Sequence, residues 1–231
     1  RISPEAPVPV VVVEKEETKA GGAGNVVLNL VSMGMNPRVV GRVGNDPAGH
    51  QLIDLLNKEL VDTSGILLQE NYCTPVKKRI IASSQQLLRV DKEHVSPVSE
   101  DIERTLVERI PEFLRDISLV LISDYAKGAL THFFLKTLIV EAKKRNISCI
   151  SDPKGTDFRK YTGSMIIKPN AHETLLAAPP HAGSSIEDAA HAILKIVDIE
   201  YLMVTRSEEG ISLFQKDGTH KLFPVTRKEV I

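Results

Sequence analysis

From Ser99 to Thr205 short apolar runs with strand character alternate with segments whose apolar residues recur at helical spacing, and this alternation narrows the fold more than anything else in the chain. Residues 118–123, 147–151, 164–168 and 201–205 read as strands, while 99–115, 131–145, a stretch near Asn170 and 185–197 read as helices. Strands separated by helices of about 10–15 residues argue for βαβ units, and so for an α/β fold with a doubly wound, mostly parallel sheet. A terminal hairpin is expected around Asp217-Gly218.

The first ninety residues have a different texture. Residues 8–13, Val-Pro-Val-Val-Val-Val, read as a strand that Pro9 places at an edge. After the charged stretch 14–19 comes Gly21-Gly22-Ala23-Gly24-Asn25, and Val27, Leu30 and Val31 then mark a helix starting at the glycines. Residues 37–43 follow as a strand. Asp46-Pro47 matches a cap with proline in the first turn, and Leu52, Leu55, Leu56 and Leu60 supply the buried face of the next helix. Residues 74–91 alternate about Ser83-Ser84 as a β-hairpin, which with 8–13 is expected to form a small separate sheet.

Composition removes several function classes. Charges balance, with 29 Lys and Arg against 30 Asp and Glu and no long block of one sign, so the footprint of a duplex-binding protein is missing and no nucleic-acid partner is expected. No apolar run approaches the roughly 18 residues a membrane helix needs. Cys73 and Cys149 lack a paired spacing, which excludes a disulfide framework and a structural zinc site and fits a reducing cytoplasm. His50, His132 and His172 show no ligand spacing, and His94 sits in a polar stretch. Arg1 is not preceded by Met, and the chain closes at Val230-Ile231 without punctuation. A domain incomplete at both ends is expected.

Open α/β sheets bind ligands at the carboxyl ends of their strands. Four segments follow strands: 123–128 with Asp124 and Lys127, 151–157 with Asp152 and Lys154, 168–173 with Asn170 and Glu173, and 205–210 with Thr205, Arg206 and Gly210. The glycine cluster fails as a dinucleotide fingerprint, since Val27 stands where the third glycine belongs, and no Gly-Lys pair exists to make a phosphate loop. It reads either as a turn that brings backbone N–H groups and Asn25 to a polyhydroxy ligand, or as a tight turn that Asn25 caps. Asp152 and Lys154 could be a surface turn pair, and Ser151-x-x-Lys154 lacks the companion motifs of the penicillin-binding class. Asn170 and Glu173 also fit a capping box. Cys149 reads as a core residue.

Together these segments resemble the ribokinase-like carbohydrate kinase family. The resemblance rests on Gly-Gly-x-Gly-Asn at 21–25, Gly44-Asn45-Asp46-x-x-Gly49, Asn170-x-x-Glu173 and Val204-Thr205-Arg206-Ser207-x-x-Gly210. The strings 1–10, Ser-Asp-Tyr-Ala-Lys-Gly at 123–128 and Asp-Pro-Lys-Gly-Thr-Asp-Phe at 152–158 narrow it to the heptose 7-phosphate kinases of ADP-heptose and lipopolysaccharide synthesis.

The resemblance implies one kinase domain over 1–231 with a β-sheet lid, its strands within 1–18 and 72–92, often shared in a homodimer. It implies transfer of the γ-phosphoryl of ATP, with Mg²⁺, to the anomeric hydroxyl of D-glycero-D-manno-heptose 7-phosphate. Gly21, Gly22 and Asn25 would hold sugar hydroxyls, with Lys127, Asp152 and Lys154 beside the sugar or its phosphate. Asn170 and Glu173 would position Mg²⁺ and its waters, Glu173 as the metal residue, and Thr205, Arg206 and Gly210 would line the nucleotide. The family's catalytic aspartate belongs to a Gly-Ala-Gly-Asp turn expected beyond Ile231, so no base is named. Asp124, Asp152 and Asp157 are the carboxylates to test should the chain turn over alone. The competing expectations are another sugar or nucleoside kinase, or a non-catalytic module that binds sugar phosphate or nucleotide.

Overall fold

Local capping chemistry sets where the helices begin. The computed structural model describes residues 3–8, 10–82 and 85–225. Arg1, Ile2, Pro9, Ser83, Ser84 and residues 226–231 lie outside them, and with them the proline-edge reading, the hairpin turn and the terminal Val230-Ile231. Helix α2 (Pro47–Lys58) starts where Asp46 accepts from the Gly49 N–H at 2.8 Å. Ser99, Thr131 and Ser185 cap α3 (Glu100–Glu108), α5 (His132–Lys144) and α7 (Ile186–Ile196) in the same way, each hydroxyl satisfying an orphan N–H of the first turn. The helix expected over 99–115 breaks at Arg109, and Pro111 opens the short α4 (Ile110–Phe113). Helix α1 (Ala23–Ser32) differs: its cap is Gly22, at φ 53°, with no side-chain bond. Asn25 is the third residue of the helix, within its first turn, so the alternative that Asn25 is the cap is overturned.

Among the described residues six strands form the main sheet, in the order β10-β9-β8-β7-β6-β5. Strands β5 (Leu119–Ser123), β6 (Ser148–Asp152), β7 (Ile166–Ile167) and β8 (Tyr201–Thr205) run parallel, and β9 (Ile211–Gln215) and β10 (His220–Phe223) add an antiparallel edge. The strand expected over 164–168 shrinks to two residues. Strand β1 (Arg38–Gly44) pairs in parallel with β2 (Asp62–Gln69), which the sequence pattern did not announce, as a separate sheet. Strands β3 (Val76–Ala82) and β4 (Gln85–Lys92) form the expected antiparallel hairpin.

Residues 10–13 form no strand, contrary to expectation. β-Branched side chains favour an extended backbone, but a strand also requires a partner edge, and Val11, Val12 and Val13 stay exposed. Leu60 is likewise displaced from the buried face expected of it. The helix has ended, Leu60 takes φ 59° with 94 % of its surface exposed, and Val61 fills the core instead.

The main core packs α3, α5 and α7 on the sheet through Leu106, Leu135, Ile139, Ile167, Ile193 and Leu202, all at most 2 % exposed. Val27, Leu56 and Val61 make a second, smaller core under β1 and β2. Cys149 is a core residue as expected, and burial pushes its thiol up to about 11. Two arginines of β1 bind the smaller sheet to the body. Arg38 donates to the carbonyls of Glu112, Phe113 and Arg115, each at 3.1 Å, and Arg42 to those of Ser96, Pro97 and Lys127. Among the described residues no helix is long and apolar enough to cross a membrane.

Candidate functional site

Parallel registry puts the exits of β5 to β8 on one rim. Ser123 pairs with Asp152, Ser151 with Ile167, and Ile167 with Leu202. Beyond the strands the rim stays connected: the Asp124 N–H donates to Asp152 O at 3.0 Å, Lys168 N–H to Ser151 O at 2.8 Å, and Thr205 N–H to Pro169 O at 3.0 Å. All four polar segments singled out in the sequence therefore face the same end of the sheet.

Asp124 is the hub of this rim. Its side chain is 4 % exposed and accepts from Lys160 Nζ at 2.5 Å, Tyr161 Oη at 2.6 Å and the Ala126 N–H at 2.7 Å. Burial, reinforced by this carboxylate, raises the Tyr161 phenol well above its ordinary range, so the hydroxyl stays protonated. It donates to Asp124 and accepts from the Lys154 N–H at 3.1 Å. One buried carboxylate thus fixes the loops that carry Lys127 and Lys154. Lys160 and Tyr161 were not anticipated, because they stand in a 3₁₀ turn (Phe158–Tyr161) with no strand ahead to draw attention to them.

Charges along the rim alternate in pairs. Lys154 Nζ meets Glu173 Oε1 at 2.6 Å, Lys168 Nζ meets Asp152 Oδ1 at 2.9 Å, and Lys127 Nζ meets Glu93 Oε2, just past β4, at 2.9 Å. Asn170 and Glu173 form a full capping box on α6 (Ala171–Ala177): the Glu173 N–H donates to Asn170 Oδ1 at 2.8 Å and the Asn170 N–H to Glu173 Oε2 at 3.1 Å. Burial alone would push the Glu173 carboxyl up, but Lys154 and the Asn170 N–H outweigh it and hold it below the usual range. The same pairing raises the Lys154 ammonium.

Gly21 and Asn25 stand exposed, and nothing lies within 4 Å of where a Gly21 Cβ would be. The Tyr125 ring lies against the Gly22 turn, its atoms 3.7–3.8 Å from a Cβ placed on Gly22. Gly44 and Gly49 serve the fold: a Cβ at Gly49 would meet Gly44 O at 2.3 Å, and Thr74, which opens the hairpin, bonds both Gly44 N–H and Asp46. Gly210, at φ 103°, is required because a Cβ would stand 2.0 Å from Phe223 O. Thr205 reaches Pro169 O at 3.5 Å. Arg206 is not free on the rim, since Glu187, Glu209 and Ser212 take its guanidinium.

Among the described residues no three His, Cys, Asp or Glu side chains are grouped to hold a metal ion. A Mg²⁺ ion that keeps its waters needs only one or two carboxylates beside phosphate oxygens; Glu173, whose two oxygens already accept from Lys154 Nζ and the Asn170 N–H, keeps lone pairs for a metal-bound water and no open direct-ligand position. Asp124 and Asp152 are bound as described, and Asp157, held below the usual carboxylate range by Arg159, caps the 3₁₀ turn. A cavity of about 410 Å³ at the far end of β9, lined by His191, Lys195 and the β9–β10 turn, shares none of these groups.

A family model described as pfkB family carbohydrate kinase matches residues 2–231. The chain belongs to the pfkB family of carbohydrate kinases. Curated relatives of this pfkB domain include the Bifunctional protein HldE of Trichlorobacter lovleyi, 40 % identical over 232 residues, and that of Geobacter sulfurreducens, 39 % identical over 236 residues. Each match covers the whole chain but 47 % of the relative, so the chain spans about half the length of these proteins. Among solved structures, Escherichia coli phosphofructokinase-2 aligns with TM-score 0.66 and 20 % identity over 93 % of this chain and 73 % of that one. An Arabidopsis thaliana ribokinase complexed with ribose and ATP aligns with TM-score 0.67 and 16 % identity over 94 % and 70 %. The fold is ribokinase-like, an α/β domain with a small β-sheet projection, as the family resemblance implied.

Proposed function

We propose that this domain transfers the γ-phosphoryl of ATP to the anomeric hydroxyl of D-glycero-D-manno-heptose 7-phosphate, giving the 1,7-bisphosphate on the way to ADP-heptose and lipopolysaccharide. The observation that carries this reading is the full-chain match to HldE proteins at about 40 % identity. The lysine-rich rim of exits from β5, β6 and β7 supports it. In this reading the Gly21-Gly22 turn and Asn25 bind sugar hydroxyls. Lys127 and Lys154 take the sugar phosphate, Asp152 orients Lys168 beside it, and Thr205 and Gly210 line the nucleotide with Arg206 as a brace. Glu173 and Asn170 would hold Mg²⁺ through its waters; when bound, the ion neutralises charge on the transferred phosphoryl. Because each rim lysine already has a carboxylate partner, a substrate phosphate competes for cations that are positioned before it arrives, and positioning is most of what phosphoryl transfer demands.

The hairpin β3–β4 presents Ile81, Leu87, Leu88 and Val90 half exposed or more, and an isolated two-stranded hairpin is marginal in water. A second copy clasped through this lid would cover them, which makes a homodimer our reading of the assembly; a monomeric mass in sedimentation equilibrium would rule it out. The reaction is assigned to the cytoplasm, where ATP is available. The deciding experiment is a phosphoryl-transfer assay of the full-length protein with ATP and a panel of sugar phosphates, sugars and nucleosides. Heptose 7-phosphate should give the highest kcat/KM. A higher value for another acceptor, or binding of sugar phosphate and ATP without turnover, overturns the assignment.

A further inference from the structure

Tyr125 is the group on the rim that neither the fold nor the reading above uses. The other aromatic side chains nearby, Phe158 and Tyr161, are buried, whereas Tyr125 keeps 47 % of its surface exposed. Its Cζ, Cε1 and Cε2 atoms stand 3.7–3.8 Å from the Cβ position of Gly22, so the hydroxyl-bearing end of the ring hangs over the glycine turn. That hydroxyl has no hydrogen-bond partner among the described residues.

The ring is not there by loop flexibility. Ala126, at φ 52°, is tied through its N–H to Asp124, the Lys127 carbonyl accepts from Arg42 at 2.9 Å, and the Gly128 carbonyl accepts from the Val98 N–H at 3.1 Å. Fixing three consecutive residues after Tyr125 costs conformational entropy, and what it secures is the placement of one half-exposed phenol beside Gly21, Gly22 and Asn25. A phenol can donate and accept, and its face packs against C–H groups. Those are the two kinds of surface a sugar ring offers.

We infer that Tyr125 is a specificity-determining residue that touches the sugar: its hydroxyl pairs with a substrate hydroxyl, and its ring covers the adjoining C–H face. The inference rests on the kinase reading and deepens its sugar site. It is tested by calorimetric titration of the full-length protein with heptose 7-phosphate in the absence of ATP, followed by steady-state kinetics. Tyr125→Phe should weaken sugar-phosphate binding about 3- to 10-fold, the range of one lost hydrogen bond. Tyr125→Ala should weaken it about 10- to 100-fold, adding the lost apolar contact. In both variants KM for the sugar phosphate rises while kcat, KM for ATP and Tm stay near wild type, the pattern of lost uniform binding. If wild type binds no heptose 7-phosphate, the kinase reading falls and the inference with it. If wild type binds and both variants bind equally well, the inference alone falls. A lowered Tm with parallel loss of both substrates, unrelieved in Tyr125→Phe, also overturns it, because that is how a packing residue behaves.

Discussion

Lys154 and Glu173 hold each other at 2.6 Å, so the two side chains assigned to sugar phosphate and Mg²⁺ are not independent. Removing Lys154 acts on both assignments, and their relative sizes separate them. If Lys154 meets the substrate phosphate, Lys154→Ala should raise KM about 10- to 100-fold for a phosphorylated sugar, as expected for one charge-assisted contact, with little change for the unphosphorylated sugar. If it serves only Glu173, the Mg²⁺ requirement shifts and both sugars respond alike; steady-state kinetics at two Mg²⁺ concentrations decides. Most of this rim was legible in the sequence, because Asp124, Asp152, Asn170 and Thr205 each follow an apolar run and parallel strands place such positions together. The hub was not. Lys160 and Tyr161 reach Asp124 across 36 and 37 positions, and no periodicity reports a contact of that kind.

Elements were legible where their signal is local. Asp46-Pro47 announced α2, and β8 (Tyr201–Thr205) was bounded correctly by its own apolar run. Signals failed where a partner decides: 10–13 has strand-forming residues and no edge to join, while β2 (Asp62–Gln69) carries Asp, Ser and Gly yet forms because β1 lies beside it. The β1–β2 pair is secured at its start by Asp62. Hydrogen bonds from Ser64 and then Arg38 lower its carboxyl from 3.8 to about 2, and Arg38 Nε stands at 2.7 Å. A carboxyl depressed in the folded state stabilises fully above its unfolded value and loses that contribution as pH falls through its folded one. Thermal unfolding followed by circular dichroism should therefore show a stability loss between about pH 4 and pH 2 that is smaller in Asp62→Asn. Equal slopes in the two proteins over that window would remove Asp62 from the account. With the side chain 41 % exposed, the effect should also shrink in high salt.

At the scale of the whole molecule two sheets must move as one if the Gly21–Asn25 turn, which packs with the smaller sheet, is to meet lysines carried by the larger. Arg42 supplies that connection from inside β1. It is 9 % exposed, lies 4.0 Å over the Tyr72 ring, donates to Gln69 Oε1 at 2.7 Å, and takes carbonyls of Ser96, Pro97 and Lys127 that lie 54 to 85 positions away. The guanidinium spreads its donors over two nitrogens to serve these four acceptors at once, whereas a lysine ammonium has three donors on a single nitrogen and cannot span them all. Arg42→Lys should keep the charge yet leave buried carbonyls unpaired, costing about 2–4 kcal/mol, visible as a lower urea midpoint at unchanged m-value. The same change should loosen the loop that carries Tyr125 and Lys127. Amide hydrogen exchange at Ala126, whose N–H is bonded to Asp124, should speed up more than exchange in α7, on the far side of the main sheet's order. Uniform acceleration across both would mean that Arg42 stabilises the domain as a whole and does not couple one sheet's turn to the other sheet's rim.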